Sequence, residues 1–407
     1  MAASLAYAYK GRDAQGKNVR GRIDAPSEAS AATRLKAMGV AATSIAEARE
    51  GTGLNTEIKM LTRGVGLKDL SVMSRQMATM ISSGLSLLRT LTILSQQTES
   101  RALAKILTEL TRDVESGVSL SDAMYRHAES FPPIMINLVR AGEVGGFLDG
   151  ALETIAKNFE AESKLRGTIK AALTYPVVVL VMAIVGVFAM LIFIVPVFKD
   201  LFAGLGGTLP LPTQILVTMS ESMIFVVPII LVAGTFGYAW WRKNKHTIAV
   251  RRVVDPIRFR LPVFGPLAIK LSIARFTRNF SSMIGAGVPI LQALHIVGET
   301  AGNWVIENAL NNVAESVRQG NSIAEPLAME KVFPAMVTQM IAVGEDAGAL
   351  ETMLEKIADF YDHEVQAATE QLTAMIEPLM VAFLGIVVGG MIVCLYLPIF
   401  NIFTLIK

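Results

Sequence analysis

Three long apolar stretches divide the chain into membrane-spanning and polar parts. Residues 171–198, 222–241 and 378–406 contain no charged side chain. About 20 apolar residues suffice to cross the hydrocarbon core of a bilayer, and a buried helix of a soluble protein rarely reaches this length without a charge. The pattern therefore predicts three transmembrane helices, joined by an external loop at 199–221 and a basic cytoplasmic connector at 242–265.

The polar regions 67–170 and 266–377 show the apolar spacing of amphipathic helices. Leu67, Leu70 and Met73 share one face at the start of the first region, and similar sets recur between glycine or serine stops. No run of alternating apolar residues interrupts them. Each region therefore predicts a bundle of about six helices with the apolar faces turned inward.

The two polar regions and the apolar stretches that follow them are copies of one design. Phe131 matches Phe333 and Pro196 matches Pro398, each pair 202 positions apart with no gap between them. Upstream the offset becomes 203, so that Arg75 matches Arg278. A gapless register over this length indicates an internal repeat, with a polar bundle and a membrane span in each copy.

The first 48 residues predict a small separate α+β domain. Leu5, Tyr7 and Tyr9 alternate as in a strand, two further short strand patterns follow, and an Ala-rich helix is predicted over 28–38. Residues 49–66 are rich in glycine and threonine and are typical of a linker. The whole chain is predicted to be an all-α integral membrane protein with two repeated cytoplasmic six-helix bundles, three transmembrane helices and this α+β domain.

Charge distribution predicts the orientation in the membrane. Lys164, Arg166 and Lys170 precede the first span and a basic cluster follows the second, whereas Lys199 is the only base in the loop between them. Lys and Arg accumulate on the cytoplasmic side. Both bundles and the N-terminus of this multi-pass protein are therefore expected on the cytoplasmic side of the membrane.

Composition excludes several classes of function. The chain is 52% hydrophobic and 18% charged, with a formal net charge of +2, too near balance to indicate a nucleic-acid partner. The single Cys394 excludes an intrachain disulfide and a multi-cysteine metal cluster. The first residues have no apolar signal region, so we expect no cleavable signal peptide.

No motif for catalysis, metal binding or cofactor binding is present. The sequence lacks a P-loop, an H-E-x-x-H motif and a G-x-S-x-G motif, so we predict no catalytic residue, no metal and no cofactor. The spans also lack the ionisable groups that pumps and ion-coupled transporters use. Glu377, at the edge of the third span, corresponds to Tyr175 in the first copy, which argues against a required carboxylate.

The repeated Gly-Glu-x-x-Gly turns are the candidate partner-binding sites. We expect a glycine to end one helix and the glutamate to lie near the start of the next, where a carboxylate favours the positive end of the helix dipole. That purely structural role is one interpretation, and docking of a partner or a metal is the other. The candidate residues are Gly142, Glu143, Gly146, Gly344, Glu345 and Gly348.

Four prolines recur at matching places in the first and third spans. Pro176 and Pro378 lie about one turn into their spans, and Pro196 and Pro398 lie near the outer ends. Proline removes a backbone hydrogen bond and bends a helix. We therefore predict helix bending at all four positions, as a means of setting the entry and exit angles.

These features resemble the family of inner-membrane platform proteins that includes the type II secretion system F proteins and their type IV pilus counterparts. The resemblance covers nearly the whole chain. It depends on the duplicated domain, on the Phe-Pro starts at 131 and 333, on the Gly-Glu turns and on an N-terminal pattern. The residues of that N-terminal pattern are Tyr9, Gly11, Asp13, Gly16, Gly21 and Ile23.

The resemblance implies a scaffold without enzymatic activity. Its expected partners are a cytoplasmic hexameric assembly or retraction ATPase, pilins or pseudopilins, other inner-membrane assembly proteins, membrane lipid and further copies of the chain. Gly186 and the Gly389-Gly390 pair could permit close contact between helices. The alternatives are a helical membrane sensor, for which the 199–221 loop is small, and a transporter component, which the uncharged spans disfavour.

Overall fold

The computed structural model describes residues 5–12, 18–25, 27–37, 40–47, 64–204, 209–245 and 247–405. Contacts within the chain separate it into two units, Met1–Arg63 and Gly64–Lys407. Most of the predicted 49–66 linker lies outside the described residues. So do Asp13 and Gly16 of the N-terminal pattern.

The N-terminal unit contains a three-stranded antiparallel sheet and one helix. Its elements are β1 (Leu5–Arg12), β2 (Asn18–Ala25), α1 (Glu28–Ala37) and β3 (Ala41–Glu47). The strand order is β2-β1-β3, and Tyr7 of β1 is paired with Ile23 and Glu47. The observed elements follow the predicted order of strand, strand, helix and strand.

The first bundle contains six helices, as predicted. They are α2 (Leu67–Ser82), α3 (Leu87–Gln97), α4 (Arg101–Glu115), α5 (Leu120–Tyr125), α6 (Pro133–Gly145) and α7 (Leu148–Ala189). Ser86, Ser100 and Ser119 begin α3, α4 and α5, and each hydroxyl accepts a backbone N–H from the first turn. Such caps satisfy donors that have no partner within the helix.

Four helical segments lie between α7 and the second bundle. A π-helical segment (Met190–Ile194) continues α7 into α8 (Val195–Gly204), and α9 (Leu211–Asn244) and α10 (Ile248–Arg260) follow. The helix α9 begins with Leu211-Pro212. A proline is tolerated there, because a backbone N–H in the first turn has no partner within the helix.

The second bundle repeats the six-helix plan. Its helices are α11 (Gly265–Gly285), α12 (Ile290–Thr300), α13 (Trp304–Arg318), α14 (Ala324–Met329), α15 (Ala335–Asp346) and α16 (Leu350–Leu405). Phe131 and Phe333, the matched aromatic residues before α6 and α15, are both buried. One continuous hydrophobic cluster includes side chains of both bundles, so the two copies share a core.

Three helices of the described chain are long and apolar enough to cross a membrane. The predicted boundaries at 170/171 and 377/378 fall inside the unbroken helices α7 and α16. The predicted 199–221 loop is largely helical, because α8 extends to Gly204 and α9 already begins at Leu211. Lys199 and Glu221, the charged residues at the two ends of this segment, pair at 2.5 Å and both lie within helices; its external position stays a prediction.

Pro196 leaves a carbonyl of its own helix without a backbone donor. Val195 N–H bonds to the Met190 carbonyl, five residues earlier, which is the π-helical pattern. The Leu191 carbonyl would therefore need the N–H of residue 196, and proline has none. The buried Ser220 hydroxyl of α9 donates to this Leu191 carbonyl instead.

Pro398 creates the same vacancy in α16, and α9 fills it in the same way. The Cys394 carbonyl lies four residues before Pro398 and so lacks its helical donor. The buried Thr213 hydroxyl donates to it. Thr213 and Ser220 lie two turns apart on α9, so that one face of this helix binds both repeated membrane helices next to their outer prolines.

We predict that removing these two hydroxyls destabilises the membrane part of the protein. Thr213→Val and Ser220→Ala should each cost about 0.6 kcal/mol, the average for hydrogen bonds between membrane helices, and at most about 1.7 kcal/mol. The measurement is the thermal unfolding midpoint of the purified chain in lipid nanodiscs.

Thr218→Val and Ser222→Ala are matched controls on the same helix. Their hydroxyls donate only to carbonyls of α9 itself, at 2.9 and 2.8 Å. If the controls lowered the midpoint as much as Thr213→Val and Ser220→Ala, the interhelical bonds would not be the cause.

Candidate functional site

The two Gly-Glu turns, residues 142–148 and 344–350, connect the last two helices of each bundle. Gly146 and Gly348 adopt the left-handed conformation, with φ of 73° and 64°, and they end α6 and α15. Phe147 N–H and Ala349 N–H bond back to the carbonyls of Gly142 and Gly344, at 3.0 and 2.8 Å. This is the Schellman arrangement, which favours glycine at the left-handed position.

The first glycine of each turn has a different task. A Cβ at Gly142 would lie 2.6 Å from the Cβ of Ala151, and one at Gly344 would lie 3.0 Å from the Cβ of Met353. These glycines therefore allow α6 to approach α7, and α15 to approach α16, more closely than any side chain would permit. The motif thus needs glycine twice, once for packing and once for the backbone conformation.

The glutamates bind the start of an upstream helix, α5 or α14, and not the start of the helix that follows the turn, which corrects our prediction. Glu143 lies in the last turn of α6, and its two carboxylate oxygens accept N–H groups of Leu120 and Ser121 at 2.6 and 3.0 Å. Glu345 does the same for Ile323 and Ala324, at 2.6 and 2.8 Å. The prediction was wrong because Gly142 is helical, and the helix ends only at the left-handed Gly146.

Each carboxylate thus stabilises the positive end of a short upstream helix. A carboxylate near the C-terminal end of its own helix is unfavourable, because that end of the helix dipole is also negative. The two hydrogen bonds to the N-terminus of α5 or α14 offset this repulsion. The glutamates therefore fix α5 to α6 and α14 to α15. That these turns also contact a partner stays a prediction.

The exposed parts of the two turns differ, although their buried parts match. Val144 and Phe147 of the first turn are exposed, whereas the second copy has Asp346 and Ala349 at these positions. A groove of about 340 Å³ runs between the first turn and the α11–α12 connection, and Val288 and the rim residue Arg140 also line it. The first turn therefore exposes apolar side chains at a place where the second turn exposes the carboxylate of Asp346.

Matched arginines bind the long helices within each bundle. Arg75 of α2 contacts Glu160 at 2.6 Å and Glu153 at 2.7 Å on α7, and Arg278 of α11 contacts Asp362 of α16 at 2.5 Å. The hydrogen bond from Arg75 lowers the pKa of Glu160 below its ordinary value. Burial raises the pKa of Asp362, and Arg278 opposes that shift.

A further set of polar contacts joins the two copies to each other. Arg275 of α11 binds both carboxylate oxygens of Glu162 on α7, at 2.6 and 3.0 Å. Nearby, the amide of Asn158 donates to Asn279 and Ser282 at 3.0 and 3.2 Å. We call these five residues the inter-copy seam. It connects the long helix of the first bundle directly to the second bundle.

Sequence reasoning missed the inter-copy seam. The position that corresponds to Arg275 in the first copy is Val72, so that the pair breaks the repeat and no pattern marks it. The matching carboxylate in the second copy, Glu364, binds Lys270 of its own bundle at 2.7 Å. A search for charged residues that differ between the copies would have found Arg275.

The remaining candidate residues lie in the long helices. Pro176 and Pro378 are inside α7 and α16, with no break in either helix, and bending at the four prolines stays a prediction. Within the part of the chain that the structure describes, no three His, Cys, Asp or Glu side chains are grouped closely enough to hold a metal ion.

Comparison with known proteins finds one family along the chain. The family model described as "Type II secretion system (T2SS), protein F" matches residues 73–196 and 276–398. The model of the "Type II secretion system protein F, N-terminal domain" matches residues 1–46. The two copies of the first match coincide with the repeat, including its membrane helices.

Curated relatives cover almost the full length. A "Type IV pilus assembly protein PilC" of Thermus thermophilus is 43% identical over 97% of this chain and 98% of its own. A protein of the same name from Myxococcus xanthus is 40% identical over 98% and 95%. A "Type II secretion system protein F" of Xanthomonas campestris is 31% identical over 97% and 98%.

We predict that the turn glutamates contribute to stability through their bonds to the upstream helix. Glu143→Gln and Glu345→Gln keep one acceptor oxygen but lose the charge and one good bond, which should cost about 1–3 kcal/mol each. Thermal unfolding followed by circular dichroism measures the loss. Glu115→Gln, at an exposed position at the end of α4, is the control.

A partner-docking role would give a different result. In that case the helicity and the unfolding midpoint of the double variant would be unchanged while recovery of partner proteins from membranes fell. An unchanged midpoint would also contradict the capping role of the two glutamates.

Proposed function

We propose, because the chain belongs to the type II secretion system protein F family, that it is an inner-membrane platform for assembly of a type IV pilus or a secretion pseudopilus. The pilus is favoured, since the relatives at 43% and 40% identity have type IV pilus assembly names and the one at 31% has a secretion name. The platform converts motion at its cytoplasmic bundles into movement of subunits in the membrane.

The observation that carries this proposal is the continuity of the long helices. The helix α7 has 42 residues and α16 has 56, which at 1.5 Å per residue correspond to about 63 and 84 Å. Each begins in a bundle and ends in a membrane span. A displacement of the bundle is therefore transmitted to the span along one unbroken helix, and no flexible joint absorbs it.

The distribution of charge supports a cytoplasmic position for both bundles. Arg242, Lys243 and Lys245 follow the second span on the side of the bundles. On the far side, Lys199 is the only base between the first two spans, and it is paired with Glu221. The positive-inside tendency therefore favours both bundles and the N-terminus on the cytoplasmic side, and the inner membrane follows from the proposed platform role.

The bundles provide a surface for a cytoplasmic ATPase. Two similar bundles with a common core present two related faces, and the inter-copy seam makes them move together. We infer that a hexameric assembly or retraction ATPase binds beneath them, and that pilins or pseudopilins contact the spans. Other inner-membrane assembly proteins and further copies of the chain complete the machine.

A sensor or a transporter is less compatible with these features. Only six residues, 205–210, separate α8 from α9, which leaves no room there for an external ligand-binding domain. The apolar runs of the three spans also lack the charged groups on which ion-coupled transport depends.

The experiment combines deletion with recovery of the ATPase. Strains without the chain should lose surface fibres or secretion, and full-length tagged chain should recover the ATPase from detergent-solubilised membranes. Fibres that persist in the deletion strain, together with no ATPase in the eluate, would overturn the proposal.

We predict that breaking the inter-copy seam uncouples motor binding from assembly. Arg275→Gln and Glu162→Gln should each reduce fibres or secretion at least tenfold while the ATPase is still recovered, because the bundles no longer move as one body. Arg275→Gln leaves Glu162 paired only with Arg166 of its own helix, at 2.7 Å, and Glu162→Gln removes the carboxylate that Arg275 binds. The double variant should be no worse than either single variant.

Glu315→Gln and Arg318→Gln form the control pair. These residues pair on the exposed face of α13, and surface pairs contribute little. A tenfold loss of fibres in the control, or loss of ATPase recovery in the seam variants, would contradict the uncoupling.

A further inference from the structure

The connector helix α10 follows the second membrane helix after only three residues. It has 13 residues and a length of about 20 Å. The preceding helix ends with Trp240 and Trp241 and with basic side chains in its last turn, as is typical of the boundary between hydrocarbon and headgroups. The N-terminal end of α10 therefore lies close to the bilayer surface.

The other end of α10 is at the same level. Val263, just after the helix, belongs to a hydrophobic cluster with Leu173 of α7 and Ile376 of α16. Leu173 lies two residues before Tyr175-Pro176, and Ile376 lies one residue before the matched Glu377-Pro378, where the two repeated spans begin. Both ends of α10 are thus at the level of membrane entry, and the helix runs along the bilayer surface.

One face of α10 is fixed to the second bundle. The buried Asp255 carboxylate accepts the Trp304 N–H at the start of α13, at 2.8 Å, and Arg251 pairs with Glu307 of α13 at 2.7 Å. These contacts determine which face of the connector is directed away from the bundle.

The opposite face exposes large apolar side chains between bases. Val253 is 60% exposed, Ile257 54%, and in the turn that follows Leu261 is 42% and Phe264 46% exposed. Arg260 is exposed beside them. A polar connector in water would have no reason to present four such side chains, whereas an interfacial helix needs them together with flanking bases.

We propose that α10 and the turn that follows, residues 248–264, form an amphipathic element that lies in the bundle-side surface of the bilayer and binds anionic phospholipid. The four apolar side chains enter the boundary of the acyl chains, and Arg260 contacts the negative headgroups. Arg252 is exposed as well; its guanidinium lies 5.6 Å from the centre of the Trp304 ring and adds positive charge at the edge of this face. The second bundle is thereby held against the membrane. This inference is independent of the ATPase and the pilins.

The experiment measures the depth of single labels in the full-length chain. In a Cys394→Ala background, Ile257→Cys receives a bimane fluorophore, and the protein is reconstituted into phosphatidylcholine vesicles with or without one-third phosphatidylglycerol. Val343→Cys is the control, because Val343 is equally exposed, at 58%. It lies near Leu350, and α16 runs about 40 Å from there to Pro378.

The proposal expects opposite quenching of the two labels. Nitroxide attached near the lipid headgroup should quench the label at position 257 at least threefold more than the label at position 343. Iodide dissolved in the water should quench the label at position 343 more than the label at position 257. Equal quenching by iodide at both positions would overturn it. Protection of position 257 from both quenchers would also overturn it, since a protein partner or a second copy would then cover the helix.

The charge dependence is tested in the same vesicles. Phosphatidylglycerol should increase lipid quenching at position 257 at least twofold, and Arg252→Gln with Arg260→Gln should abolish the increase. Arg101→Gln with Lys105→Gln, at exposed positions of α4, should leave it unchanged. Equal quenching in both lipid mixtures would overturn the assignment of an anionic ligand.

Discussion

A helix in lipid cannot leave a backbone carbonyl without a donor, because no water is present to replace it. Pro196 and Pro398 each remove such a donor, and Ser220 and Thr213 of α9 supply the replacements. The segment that continues α7, the helix α9 and the helix α16 also share an apolar cluster, which includes Leu191, Leu216 and Met391. At the bundle side, α7, α11 and α16 share another cluster. The long helices are therefore held at both membrane boundaries, and this is the condition for their action as rigid connections.

The duplication supplies two similar bundles, and a few changed residues make one body of them. Glu162 and Glu364 occupy matching positions, but the first binds Arg275 of the other copy and the second binds Lys270 of its own. If both glutamates bound bases of their own copies, the apolar core alone would join the bundles. A directional, charge-assisted contact adds a fixed relative orientation, so that a displacement of one bundle would also move the other.

The sequence allowed the six-helix plan, the repeat and the three spans to be predicted, because these depend on periodicity and on length. It did not allow us to predict which helix the carboxylates of Glu143 and Glu345 bind. The motif shows a glutamate between two glycines. Only the φ angle distinguishes the glycine that ends the helix from the glycine that lies against the next helix. The Thr213 and Ser220 bonds were missed for another reason. Serine and threonine in a span usually bond to their own helix, as Thr218 and Ser222 do, and the hydroxyl that reaches a neighbour carries no distinguishing pattern.

The unduplicated segments follow from the duplication itself. Each copy begins with a bundle and ends with a span, so that the chain leaves α8 on the side of the membrane opposite to its bundle. A second bundle that shares a core with the first must begin on the original side, and one more crossing is then unavoidable. The helix α9 provides this crossing, and α10 carries the chain across the bilayer surface to α11. Because neither has to match a copy, their sequences are open to features that serve both copies at once. The hydroxyls of α9 and the apolar, basic face of α10 are such features.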